Sequence, residues 1–193
     1  MTTVFGYSSY SREYGTFVGI GWGALFLLYI YSVLTMNPLF FLAFFALMFV
    51  CSIMPFFFAF RINKKYASIG ERLSYFQGFS FSLVMFMYAC LMSGIISYIY
   101  FEFFDNGAIC QSLLEMFNTA ELKKTYEQIG MSDSYNEMMQ LLNEASSLSS
   151  FEKTLALFNN NFFMSLFLSF LVAFVASFST IRQQNRNQLD NTL

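Results

Sequence analysis

Histidine is absent from this 193-residue chain, and cysteine occurs only three times, with no CxxC spacing. Without them there is no standard zinc or redox ligand set and no disulfide framework. Cys51 and Cys90 fall inside apolar runs and Cys110 follows one, so all three read as small packing residues. Charge is scarce as well, at 11% of residues, where a soluble domain carries about 25%. The net charge of −2 excludes a general nucleic-acid binder. No GxGxxG, Walker or HExxH pattern occurs, and no nucleophile is set beside a base. Four long stretches, residues 14–35, 38–60, 73–101 and 154–181, contain no charged side chain at all. Ionisable groups within a membrane mark proton relays, ion pathways and voltage sensors, so their absence argues against a proton-coupled pump. No catalytic residue, cofactor or metal is assigned, and the chain is not expected to be an enzyme.

What is present is apolar. Hydrophobic residues make up 56% of the chain and aromatic residues 21%, with 28 phenylalanines. A water-soluble protein of this size could not bury that surface. Each charge-free run reaches the ~20 residues needed to cross about 30 Å of hydrocarbon at ~1.5 Å per residue. Backbone groups in lipid must bond to one another, and the runs lack the alternation of barrel strands. The chain is therefore read as an all-α membrane protein and a single membrane domain, with transmembrane helices at about 14–35, 38–60, 76–101 and 160–181. The first run exceeds the ~7–15-residue core of a signal peptide and has no cleavage site after it, so it is expected to be a retained helix.

Local signals order the connections. Asn37 and Pro38 suit the N-cap and first position of the second helix, making a tight hairpin with the first. Pro55 lies within that helix and predicts a kink. Arg12, the loop 61–75 with Arg61, Lys64, Lys65 and Arg72, and the tail 182–193 with Arg182 and Arg186 fall on one side of a four-crossing chain. Positive charge marks the cytoplasmic side, so both termini are expected there, in an inner membrane. Tyr7, Tyr10, Tyr66, Tyr75, Tyr98 and Tyr100 are placed as interfacial anchors.

The stretch 105–152 then lies on the far, periplasmic side. From Glu102 to Glu152 the chain carries nine acids against Lys123, Lys124 and Lys153. The pattern suggests an amphipathic helical hairpin between the third and fourth transmembrane helices. One stripe is Leu113, Leu114, Phe117, Leu122, Tyr126 and Ile129, and the other is Met138, Met139, Leu141 and Leu142. Capping boxes are read at Asn118–Glu121, Ser134–Glu137 and Ser149–Glu152, with Gly130 at a helix end. The hairpin is expected to rest on the membrane or the helix ends and to add little to core stability. It is also the expected surface for a protein partner.

Small residues recur at helical spacing. Gly15, Gly19 and Gly23 form a row on the first helix, Gly78, Ser82, Cys90 and Gly94 on the third, and Ser165, Ser169, Ala173 and Ser177 on the fourth. Apolar burial between helices gains little in lipid, so close approach through small residues supplies the contact. These rows predict tight packing, within the chain or in a homo-oligomer formed through the first helix. Leu28 is assigned to the lipid side. Two polar clusters remain as candidates. Glu102 and Asp105 fall on one face at the end of the third helix, with Lys153 a candidate partner, and Asn159, Asn160 and Asn161 sit at the start of the fourth.

The chain also resembles the small bacterial membrane proteins grouped as domain of unknown function 4199, found mostly in Bacteroidota. The resemblance rests on Tyr14, Gly15 and Gly19, on the run Lys65–Phe79 (KYASIGERLSYFQGF), on Ile96–Asp105 (ISYIYFEFFD) and on Tyr126–Ser132 (YEQIGMS). The chain lacks the proline often seen after the third helix in that family. The resemblance implies an inner-membrane location and brings no activity or functional residue with it. Two functional readings follow from the sequence. One is a non-enzymatic envelope scaffold, assembly factor or complex subunit. The other is a small oligomeric transporter or pore for a neutral or cationic solute.

Overall fold

The computed structural model describes the backbone of residues 4–69 and 73–190 and the side chains of 8–69 and 73–178. Tyr7, Arg182 and Arg186 as side chains, Arg72 altogether, and the end of the tail lie outside the described residues. Among the described residues seven helices follow in order: α1 (Val4–Thr35), α2 (Pro38–Ser68), α3 (Tyr75–Phe103), α4 (Ala108–Phe117), α5 (Ala120–Gln128), α6 (Ser132–Ser147) and α7 (Ser150–Asp190). No strand occurs among the described residues. Among the described residues four helices are long and apolar enough to cross a membrane, at Ser8–Thr35, Pro38–Ser68, Tyr75–Phe103 and Ser150–Phe178. This is a multi-pass membrane helical bundle.

The helices outrun the charge-free runs that predicted them. α2 continues to Ser68, so Arg61, Lys64 and Lys65 ride its last two turns and the expected loop 61–75 is mostly helix. α7 starts at Ser150, ten residues before the expected span, and continues into the tail. A charge within the first or last turn of a long helix does not stop it, because intrahelical hydrogen bonding does not depend on lipid.

The caps explain the connections. Asn37 Oδ1 accepts the Leu39 N–H at 3.0 Å, and Pro38 follows at the first position. Met36 turns the chain with a φ of 49°. Ser74 and Gln77 form a capping box at α3 that was readable as S-x-x-Q but was not singled out. α2 runs through Pro55, whose side chain is buried.

α3 is the central strut, packing along α1 on one side and α7 on the other. α2 closes the ring against α1 and, through its C-terminal half, against α7. Gly15, Gly19 and Gly23 all face α3 within the chain. A Cβ on Gly19 would lie 2.7 Å from the Ala89 carbonyl oxygen and 2.6 Å from Met92 Cβ, so only glycine permits this approach. Gly78 does the same toward α7, where a Cβ would stand 3.0 Å from the Ala173 carbonyl oxygen. Gly94 differs. It is half-exposed beside a lipid-facing groove, and a Cβ there would meet Phe158 at an ordinary 3.6 Å.

Ser82, Ser165, Ser169, Ala173 and Ser177 are buried as the row predicted. The serines donate to their own helix, Ser82 to Gly78 O, Ser165 to Asn161 O, Ser169 to Ser165 O and Ser177 to Ala173 O. They therefore act through size rather than as bonds between helices. Between the rows, Cys90 Sγ lies 3.6 Å from Ser165 Oγ, a polar side-chain contact in addition to the Gly78–Ala173 approach.

The best-packed core lies at the basic end, where Tyr14, Ala59, Ile62, Phe81, Met85, Phe86, Val172 and Ala176 meet. Tyr14 stacks on Phe58 with ring centroids 4.4 Å apart. Tyr66 belongs to this core and is not an interfacial anchor. Tyr10, by contrast, receives a hydrogen bond from Lys65, whose ammonium also lies over its ring. That contact puts the start of α1 and the end of α2 together. Leu28, expected toward lipid, is half-buried.

Between α3 and α7 the expected two-helix hairpin is three helices. Asn118 and Thr119 break the first stripe, and Thr119, not Asn118, caps α5 by accepting from Leu122 N. α6 begins at Ser132, so the box at Ser134 does not form, whereas Ser149 and Glu152 do bond reciprocally. Gly130 ends α5 with a φ of 73°. Phe117, Met138, Met139 and Leu142 are half-buried as expected, but Ile129 and Leu141 are exposed. The residue that joins the layers is Tyr135, buried in α6, whose hydroxyl donates to Phe117 O at 3.2 Å.

Candidate functional site

Two features stand at the end of the bundle that carries α4–α6. The first is the junction of α3, α4 and α7. α3 ends when Phe104 N and Asp105 N both bond to Tyr100 O. Asn106 and Gly107 then turn the chain with φ values of 42° and 82° and start α4. Asp105 is caught in this turn, and its carboxylate is buried. One oxygen accepts the Ile109 N–H at 3.1 Å, and the other meets Lys153 Nζ from α7 at 3.2 Å. A carboxylate at the N-terminus of α4 is well placed against the helix dipole. Ser150 adds a bond from α7 to Phe101 O at 3.1 Å.

This is the only ion pair among the described residues. It confirms Lys153 as the partner of Asp105 and separates the expected carboxylate pair. Asp105 is 2% exposed, whereas Glu102, on the last turn of α3, is exposed. α4 also packs on α1, burying Ile109 and Cys110. The insert is thus attached to the bundle and does more than rest on the helix ends.

The second feature is a cavity of about 290 Å³ among all four long helices. α1 contributes Trp22, Leu25, Phe26 and Tyr29, and α2 contributes Phe44. α3 gives Ser93 and Ser97, and α7 gives Asn161 and Met164. It exists because the small-residue rows act elsewhere. α7 carries Leu157, Asn161, Met164 and Leu168 at this level, and no residue of α2 from Pro38 to Val50 is buried. Large side chains hold the helices apart here, while glycine, alanine and serine draw them together at the basic end.

The three asparagines separate accordingly. Asn159 and Asn160 are exposed, and Asn161 lines the cavity. Its main-chain carbonyl accepts Ser165, but its carboxamide makes no hydrogen bond among the described residues. Ser93 and Ser97 donate to Cys90 O and Ser93 O, which leaves only their oxygens free to accept. Toward the basic end the cavity stops at Trp22, whose ring stacks on the buried Phe86 at 5.8 Å. Sequence reasoning missed Trp22 and Tyr29, although a lone tryptophan at mid-run rather than at a run's end was a visible signal.

Among the described residues no three His, Cys, Asp or Glu side chains gather as a metal set. No curated protein and no solved structure matches the chain. One family profile does match, across most of the sequence from within α1 through α6 and into α7. By that match, over residues 13–177, the chain belongs to the family described as Protein of unknown function (DUF4199).

Proposed function

We propose that this protein is a non-enzymatic membrane scaffold, assembly factor or complex subunit that presents its acidic insert to a protein partner. One observation carries the reading. Of the nine acids from Glu102 to Glu152, only Asp105 is buried and ion-paired, and the other eight are exposed with no ion partner among the described residues. Eight unpaired carboxylates on a small, anchored surface favour a basic partner through long-range attraction. The basic ends of α1 and α2 put Arg12, Arg61 and Lys64 at the opposite end, consistent with a cytoplasmic side there and an extracytoplasmic insert in a bacterial inner membrane.

The test is affinity purification from native membranes after crosslinking. Lysines replacing Glu121, Glu127, Asp133 and Glu137 should remove the co-purifying protein while leaving the bundle intact. An unchanged set of crosslinked partners refutes the reading. The transporter reading draws on the cavity, but a path would have to cross the core at Phe81, Met85 and Phe86, all at most 1% exposed. Solute flux into proteoliposomes holding the purified chain would restore it.

A further inference from the structure

α2 consists of two unlike halves that meet at Pro55, and the difference does not depend on the acidic insert. From Pro55 to Tyr66 the helix is held. Pro55, Ala59, Ile62, Asn63 and Tyr66 are buried. Phe58 stacks on Tyr14, Asn63 donates to Val175 O at 3.4 Å, and Lys65 donates to the Tyr10 hydroxyl. From Pro38 to Val50, by contrast, no residue is buried. Two ring pairs join this half to α1, Tyr31 with Phe40 at 4.6 Å and Tyr29 with Phe44 at 5.5 Å. Phe44 also lines the cavity, together with Ser93 and Ser97 of α3 and Asn161 of α7. Space therefore separates this half from α3 and α7.

The boundary between the halves favours bending. Pro55 has no N–H to give the Cys51 carbonyl, and its ring crowds that turn. One turn earlier, Ser52 Oγ donates to Met48 O at 2.8 Å, a bond back onto the helix that also promotes a bend. The joint itself stays seated. Cys51 and Pro55 are both buried, and a Cβ on Gly21 of α1 would stand 3.3 Å from Cys51 Sγ. The far end is joined to α1 by the turn at Met36 and Asn37, where Met36 has a φ of 49°. Between these points lies a stiff helical rod with a joint at each end. Moving such a rod in a bilayer costs little. Lipid tails are as apolar as the side chains it leaves, so the exchange meets little hydrophobic resistance. Few buried contacts and a local break in the helix are the physical marks of a segment that moves.

We propose that Pro38–Val50 is a strap, hinged at Pro55 and at the Met36–Asn37 turn, whose swing narrows and widens the cavity between the four long helices.

The test uses the full-length protein in phosphatidylcholine nanodiscs, with its three cysteines replaced by alanine and spin labels on introduced cysteine pairs. One pair, at Leu42 and Phe163, joins the strap to α7. The other, at Phe60 and Phe174, joins the held half to α7. All four positions are exposed. Leu42 stands about 20 Å along the helix from Pro55 at ~1.5 Å per residue, so a change in bend of about 10° moves it by about 3–4 Å. The Leu42–Phe163 distance distribution is expected to be broader than the Phe60–Phe174 distribution by about that amount. Pro55→Ala restores the missing N–H. It should narrow Leu42–Phe163 to the width of the control pair and leave the control unchanged. Equal widths for the two pairs in the parent overturn the proposal. So does a broad Leu42–Phe163 distribution that Pro55→Ala leaves as it was, because the hinge would then not be Pro55. If Pro55→Ala does not fold, the two parent pairs decide alone.

Discussion

Replacing Lys153 with methionine isolates the one buried ion pair among the described residues. The variant keeps most of the stem's packing against Phe101 but leaves the Asp105 carboxylate, 2% exposed, without its cation. Breaking a buried pair from one side costs about 3–5 kcal/mol, most of it the penalty of an uncompensated charge. The Ile109 N–H still bonds to the carboxylate, which puts the expected loss near the lower end, about 3 kcal/mol. For a chain of this size that corresponds to a fall in melting temperature of roughly 6–12 °C. Asp105→Asn combined with Lys153→Met removes both charges while keeping an oxygen for Ile109, and should recover more than about half of the loss. The local readout is Cys110, buried in α4 directly beyond the junction. With Cys51 and Cys90 replaced by alanine, a maleimide should label Cys110 slowly in the parent and several-fold faster in Lys153→Met. If the two single variants simply add in the double, or if Cys110 stays protected, the pair does not hold the insert.

Three further outcomes follow from the packing. Gly19→Ala should already destabilise the bundle by about 1–3 kcal/mol, because its Cβ meets backbone atoms of Ala89 that cannot rotate away, and Gly19→Leu should do more. The lipid-facing Leu27→Ala is the control, and equal melting temperatures in detergent for all three would show that α1 and α3 do not meet at Gly19. Replacing residues 120–147 by a flexible linker should leave the bundle folded, since α6 packs chiefly on α4 and α5 chiefly on α6, and a cooperative melt lost with that excision would make them structural. Extending the cut through α4 should cost markedly more, by exposing Ile109 and freeing Lys153. Finally, single cysteines at 62–69 should label only from the side opposite those at 120–147. Labelling of both sets from one side is incompatible with four crossings.

The four crossings were legible in the sequence because their cause is local. A run without charge, long enough to span hydrocarbon and obliged to bond its own backbone, has one stable form, and this holds whatever it packs against. The same is true of the Asn37–Pro38 start of α2, the Gly130 stop of α5 and the Ser149–Glu152 box, where donor and acceptor lie within three residues. The glycine and serine rows announced that helices would approach closely, but not which ones. That Gly15, Gly19 and Gly23 face α3 rather than a second chain was decided by the register between two helices about 70 residues apart. Tertiary structure also divided residues that look alike in sequence. Asn159 and Asn160 face outward and Asn161 lines a cavity, because successive positions on a helix point about 100° apart and only one of them met the gap between bundle faces. Asp105 and Glu102 parted for a similar reason, since α3 ends between them and the turn carries Asp105 inward to Lys153. Asn118 and Thr119 split the insert into three helices where the apolar stripe continued, because a capping side chain and the packing of Tyr135 against Phe117 outweighed a stripe with too few apolar residues to hold one longer helix. Sequence alone determined how the chain crosses a membrane. The contacts between distant helices determined where it is tightly packed, where it is hollow and which charge is buried in an ion pair.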